Sequence, residues 1–81
     1  MKLPDELLQA LKEKKSFHLQ INENGIPSLY DDANQALWIL EGFDKKAAFL
    51  FIDNFLEEQG YQLIDRSALR WKALDIREKF G

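Results

Sequence analysis

Residues Ser16 to Asn22 alternate between apolar and polar without a break, and Asn24-Gly25 follows at once, so the chain is committed to doubling back on itself as a β-hairpin. Phe17, Leu19 and Ile21 take one face, and Ser16, His18, Gln20 and Asn22 take the other. A two-residue type I′ loop at Asn24-Gly25 would set Ile21 opposite Ser28 and Leu19 opposite Tyr30. The returning segment, Ile26 to Tyr30, contains Pro27, which cannot donate to a ladder, and this predicts a short edge strand.

Helices are expected on either side of this hairpin. Pro4 and Asp5 open a first helix running to Lys15, with acids in the first turn, lysines in the last, and Leu3, Leu7, Ala10 and Leu11 on one face. After the hairpin, Ser28 with Asp31 and Asp32 with Gln35 each resemble a capping box, predicting a helix that ends at Glu41 before Gly42. Asp44 caps a further helix to Gln59, and Gly60 supplies a left-handed exit. In that helix Ala48, Phe49, Phe51, Ile52, Phe55 and Leu56 cover an arc of about 160°, wide enough to pack on two surfaces.

Tyr61 to Ile64 is short and β-prone, a candidate third strand beside Phe17 to Asn22. Beyond it two periodicities compete. Leu69, Ala73, Ile76 and Phe80 recur at helical spacing and favour a terminal helix from Asp65 or Ser67, whereas Leu69 to Ala73 also alternates and would make a strand after a turn at Asp65 to Ala68. The helical reading is preferred. The expectation is one α+β domain over residues 1–81, a two- or three-stranded antiparallel sheet packed on three or four helices.

Composition narrows the function classes. A chain of 81 residues buries only about 60 to 65 per cent of its extended surface, and with no cysteine it has neither disulfides nor thiolate ligands to supplement the core. A cytoplasmic location is expected. The longest apolar run, Ala47 to Ile52, is too short for a membrane span. The net charge of −3 is unevenly distributed, with residues 16 to 60 summing to −6 and both ends net positive, and an acidic centre disfavours nonspecific nucleic-acid binding.

No catalytic, cofactor or metal site is expected. The single histidine, His18, reads as a surface residue, without an orienting carboxylate or nucleophile near it in sequence. Asp31-Asp32 and Glu57-Glu58 are adjacent pairs that diverge by about 100° on a helix, and a calcium loop from Asp32 fails at Ala36 and Leu37. The four glycines punctuate elements and form no phosphate loop.

Two surface features remain. Wound as helices, the segments around Trp38 and Trp71 turn both indoles away from their apolar stripes, and Leu50 falls on the polar side of its helix beside Lys46, Asp53 and Glu57. Exposed indoles are over-represented in binding interfaces, so Trp38, Leu50 and Trp71 are the expected contacts with another protein or a second copy of the chain. Arg66, Arg70 and Arg77 would line one side of the terminal helix, suited to carboxylate or phosphate. The function expected is a non-enzymatic interaction module, such as a small regulator, inhibitor or adaptor; the alternative is a nucleic-acid binder using that arginine row.

Overall fold

The computed structural model describes residues 3–74. Its elements are α1 (Asp5–Lys12), β1 (Phe17–Ile21), β2 (Pro27–Asp31), β3 (Ala36–Ile39), α2 (Lys45–Glu58), β4 (Tyr61–Asp65) and β5 (Arg70–Ala73). The five strands form one antiparallel sheet in the order β3-β2-β1-β5-β4. The fold is therefore α+β, but with five strands and two helices among the described residues, in place of the expected two or three strands on three or four helices.

The first hairpin forms where expected, with its register moved by one. Asn22 N–H donates to the Ile26 carbonyl at 2.9 Å, leaving Glu23, Asn24 and Gly25 as a three-residue loop in which Gly25 alone takes positive φ, +78°. Asn22 Oδ1 accepts from the backbone N–H of both Asn24 and Ile26 at 2.9 Å, which stabilises this longer loop. Leu19 now pairs with Leu29, so both enter the core, and His18 pairs with Tyr30. The two-residue register would have sent Leu29 to the polar face, and burial decides against it.

Pro27 stands at the first position of β2, where its missing N–H is not required, and its carbonyl accepts from Leu40 N–H at 2.9 Å. The strand it begins is interior, between β1 and β3, and not an edge.

Both departures from the helical expectation have local causes. Asp31 Oδ1 accepts from the backbone N–H of Ala33 and Gln35 at 2.9 Å, and Asn34 takes φ +62°, so the residues that resembled a capping box build the turn of a second hairpin instead. The segment leaving this turn, Ala36–Ile39, is strand β3. At the other end, Asp65 Oδ1 accepts from Ala68 N–H at 3.0 Å and Leu69 adopts φ +53°, turning the chain into β5. The alternating reading of Leu69 to Ala73 is the one realised, and residues 75–81, which carry Ile76 and Phe80 of the helical stripe, lie outside the described residues. β5, not β4, then lies beside β1.

Cross-strand pairing sorts the side chains. Phe17, Leu19, Leu29, Trp38, Tyr61, Leu63 and Trp71 share one face of the sheet, and α2 lies on it with Ala48, Ile52 and Leu56 fully buried. Its flanking phenylalanines reach outward along the sheet: Phe51 and Phe55 meet Trp38 edge-on at 5.5 and 5.4 Å, and Phe49 lies 6.0 Å from Trp71. The wide apolar arc of this helix thus spans strands β3 to β5 of a single sheet; it does not divide between two surfaces. Asp44 caps α2 through Oδ1 to Ala47 N–H at 2.7 Å, and Gly60 leaves it at φ +86°, both as expected. Leu7 and Ala10 of α1 join the same core.

Candidate functional site

Packing both helices against one face leaves the other without a helix among the described residues. On β1 the alternation brings His18 and Gln20 to this helix-free face, on β2 Ser28 and Tyr30, on β5 Arg70 and Lys72, and on β4 Gln62. Sheet order then aligns residues distant in sequence: Tyr30, His18, Arg70 and Asp65 form one row across β2, β1, β5 and β4.

The centre of the row is ordered. The rings of Tyr30 and His18 stack with centroids 5.6 Å apart, and Gln20 Nε2 lies 2.9 Å from His18 Nε2. His18 is only 8% exposed, so it is not the surface histidine expected from its polar-face position. Its Nδ1 is buried without a hydrogen-bond partner among the described residues. Burial, followed by the guanidinium of Arg70 on the neighbouring strand, lowers the imidazole pKa from its usual 6.5; Asp32, Asn34 and Asp31 act in the opposite sense.

Around this centre the face is accessible. Arg70, Lys72, Gln20 and Gln62 are exposed, and Ile39 at its far end is 50% exposed. The sole ion pair among the described residues, Lys15 with Glu13, lies elsewhere. The edges of the sheet are less inviting. Leu37 on β3 and Ile64 on β4 are each an extra residue in their ladders, and bulges of this kind twist an edge away from further strand pairing.

The expected contact residues are dispersed. Trp71 is 0% and Trp38 9% exposed, a correction of the outward orientation expected for both. The cause is periodicity: in strands, Trp38 pairs with Leu29 and Trp71 with Phe17, which turns each indole toward α2. The geometric reason for giving them a docking role falls with their exposure. Leu50 is 51% exposed on the outer side of α2, as its helical phase requires, with the helix between it and the sheet.

The arginine row of a terminal helix is likewise not formed. Arg66 sits in the exposed turn between β4 and β5, Arg70 in β5, and Arg77 lies outside the described residues. Tyr30 and the burial of His18 were not anticipated; the available signal was the rival alternation of Leu69 to Ala73, which places Arg70 on the polar side of a strand.

Chemistry elsewhere is limited. No group of three His, Cys, Asp or Glu among the described residues could hold a metal ion. Two shallow grooves flank the sheet, one between α1 and the β2–β3 turn near Glu6, Gln9 and Gln35, the other between α2 and β4 near Asp53, Glu57 and Leu74. Among the described residues no helix is long and apolar enough to cross a membrane. Comparison with protein-family models, with curated proteins and with solved structures finds no match to this chain.

Proposed function

We propose that this protein is a non-catalytic interaction module of the cytoplasm, a small regulator, inhibitor or adaptor whose output is occupancy of a partner protein by the helix-free face of its sheet. The observation that carries this reading is the row of Tyr30, His18 and Arg70, with exposed Ile39, Gln20 and Lys72 around it. Aromatic and arginine side chains set beside an exposed aliphatic one are the composition of residues that dominate binding energies. The bulged edges support a face over an edge as the contact surface.

A nucleic-acid reading retains one supporting observation, the placement of Tyr30, Arg70 and Lys72 on one face of the sheet, residue types used to stack bases and neutralise phosphates. Steep loss of binding with rising salt would favour it, whereas a protein interface with an apolar component resists salt.

Site-specific photo-crosslinking tests the proposal. A photoreactive residue at Gln20 or Gln62 should capture a protein in extracts of the native cell, and one at Leu50 should not. Capture from Leu50 alone would reverse the assignment of the face, and capture of nucleic acid from Gln20 would replace the proposal with its alternative.

A further inference from the structure

We propose that Asn24 is a modification site. Its side-chain amide is lost spontaneously by attack of the Gly25 backbone nitrogen, leaving aspartate and isoaspartate in the first hairpin loop, at a rate that Asn22 restrains. The site does not depend on the binding role of the helix-free face.

Three features of the loop favour the reaction. Asn24 is followed by Gly25, and glycine has no Cβ to obstruct the approach of its nitrogen to the preceding side chain. Glu23, Asn24 and Gly25 are all exposed, and a Cβ placed on Gly25 would meet no atom within 4 Å, so the space around this peptide is open to water. Asn24 is tied to the loop through its backbone N–H, which donates to Asn22 Oδ1 at 2.9 Å; among the described residues its side chain enters no hydrogen bond.

The other asparagines are held. Asn22 Oδ1 accepts from two backbone N–H groups, and the residue that follows it is Glu23, with a side chain of its own. Asn34 precedes Gln35, whose N–H is bound to Asp31 Oδ1 at 2.9 Å. Asn54 lies inside α2, where the helical ladder engages the nitrogen that would have to attack.

The chemistry needs only water. The Gly25 nitrogen gives up its proton to solvent and bonds to Asn24 Cγ; the Cγ–Nδ2 bond breaks, and Nδ2 takes up a proton and leaves as ammonia. Water then opens the cyclic imide at either carbonyl. One opening gives aspartate, and the other gives isoaspartate, in which the main chain runs through Cβ and Cγ. Nothing is oxidised or reduced. An amide becomes a carboxylate, so the net charge moves from −3 to −4.

The hairpin itself supplies the brake. Gly25 N–H donates to the Asn22 carbonyl at 3.0 Å, and Ile26 N–H donates to Asn22 Oδ1 at 2.9 Å. Closing the imide swings the peptide between Asn24 and Gly25, so these bonds must open before the nitrogen can reach Cγ. Isoaspartate lengthens the loop by one backbone atom, and its effect should reach Ser28 on the helix-free face, because Asn22 Nδ2 lies 3.4 Å from Ser28 Oγ.

The test ages the intact chain at mildly alkaline pH, at a temperature well below its melting midpoint. Conversion is followed by isoelectric focusing, by peptide mapping, and by methyl transfer from labelled S-adenosylmethionine with an isoaspartyl methyltransferase. A single more acidic species should appear, map to Asn24 and accept methyl groups. Asn24→Gln, which keeps an amide but cannot form the five-membered ring, should abolish it at an unchanged melting midpoint. Asn22→Ala, which removes the acceptor of the Ile26 N–H, should speed conversion by about fivefold, the factor carried by one ordinary hydrogen bond, whereas Asn22→Asp, which retains an acceptor oxygen, should not. Conversion that maps to Asn22, Asn34 or Asn54, or that persists in Asn24→Gln, would overturn the proposal. So would an intact chain that stays unconverted while a free peptide of residues 22–26 converts fully in the same buffer. An Asn22→Ala chain that converts at the wild-type rate would overturn the restraint assigned to Asn22.

Discussion

Asp53 on α2 accepts a hydrogen bond from the indole Nε1 of Trp71 on β5 at 3.0 Å. Trp71 is fully buried, so its one polar atom needs a partner inside the protein, and the helix supplies it. The bond does more than satisfy an N–H group. It fixes the rotation of α2 over the sheet, and β5 carries Arg70 and Lys72 on its reverse side, so the packing of one face sets the position of the other.

Removing the acceptor should therefore be costly. Asp53→Ala leaves a buried indole N–H without a partner and should destabilise the protein by about 1–3 kcal/mol in urea unfolding. In a Trp71→Phe background the same change should cost little, because the donor is already gone. An equal cost in both backgrounds would mean that Asp53 stabilises α2 by another route.

The burial of both indoles has an optical consequence. Emission of the isolated protein should be blue-shifted and poorly quenched by acrylamide, with Trp71 the better protected of the two. A red, readily quenched spectrum would contradict the placement of Trp38 and Trp71 beneath α2.

A strained position offers a stabilising change. Helix α1 ends with Lys14 N–H donating to the Leu11 carbonyl at 3.1 Å and Lys15 N–H to Ala10 at 3.0 Å, the double bond of a Schellman motif, and Lys14 itself has φ +56°. Glycine is favoured at this position because it has no Cβ to strain. Lys14→Gly should stabilise by about 0.5–1 kcal/mol, less than the relief of strain alone because glycine also loosens the unfolded chain. A melting midpoint raised by about 2–8 °C is the expected reading.

How much of this is legible in the residues varies with the length of the element. In α2 the capping Asp44, the fourteen helical residues and Gly60 all agree, and local chemistry suffices. The hairpin turn at Gly25 is equally local. Strands β3 and β5 have four residues each, too few to separate a period of two from one of 3.6, and Asp31 and Asp65 serve turns as readily as they serve helix caps. The inverted orientation of Trp38 and Trp71 is a direct result of that ambiguity. The row of Tyr30, His18 and Arg70 depends on strand order, which brings residue 70 beside residue 18, and no periodicity within either segment encodes that.

Tyr61 should make the protein sensitive to alkali. Its hydroxyl donates to the carbonyl of Lys15 at 2.8 Å, and burial pushes its pKa up from 10.0 to about 12. Above about pH 10 the unfolded chain releases this proton while the folded chain holds it, so stability should fall as pH rises through that interval. Tyr61→Phe should flatten that part of the pH profile and cost about 0.5–1.5 kcal/mol at neutral pH through the lost hydrogen bond.

His18 should govern the acid side. The folded imidazole is held below its ordinary 6.5 first by burial and then by Arg70, against the pull of Asp32, Asn34 and Asp31; Tyr30 stacks on it and Gln20 meets its Nε2. As pH falls past about 6.5 the unfolded chain takes a proton that the folded chain resists, so the unfolded state binds more protons and stability falls with pH until the lowered folded value is passed. His18→Phe keeps a ring to stack on Tyr30, removes the unpartnered Nδ1, and should abolish this decline while leaving stability at about pH 8 equal or higher. Urea midpoints of both proteins between about pH 8 and pH 5 provide the measurement. A wild-type protein that grows more stable over the same acidification would show that the buried ring gains a counter-charge on protonation, and that Arg70 points away from it.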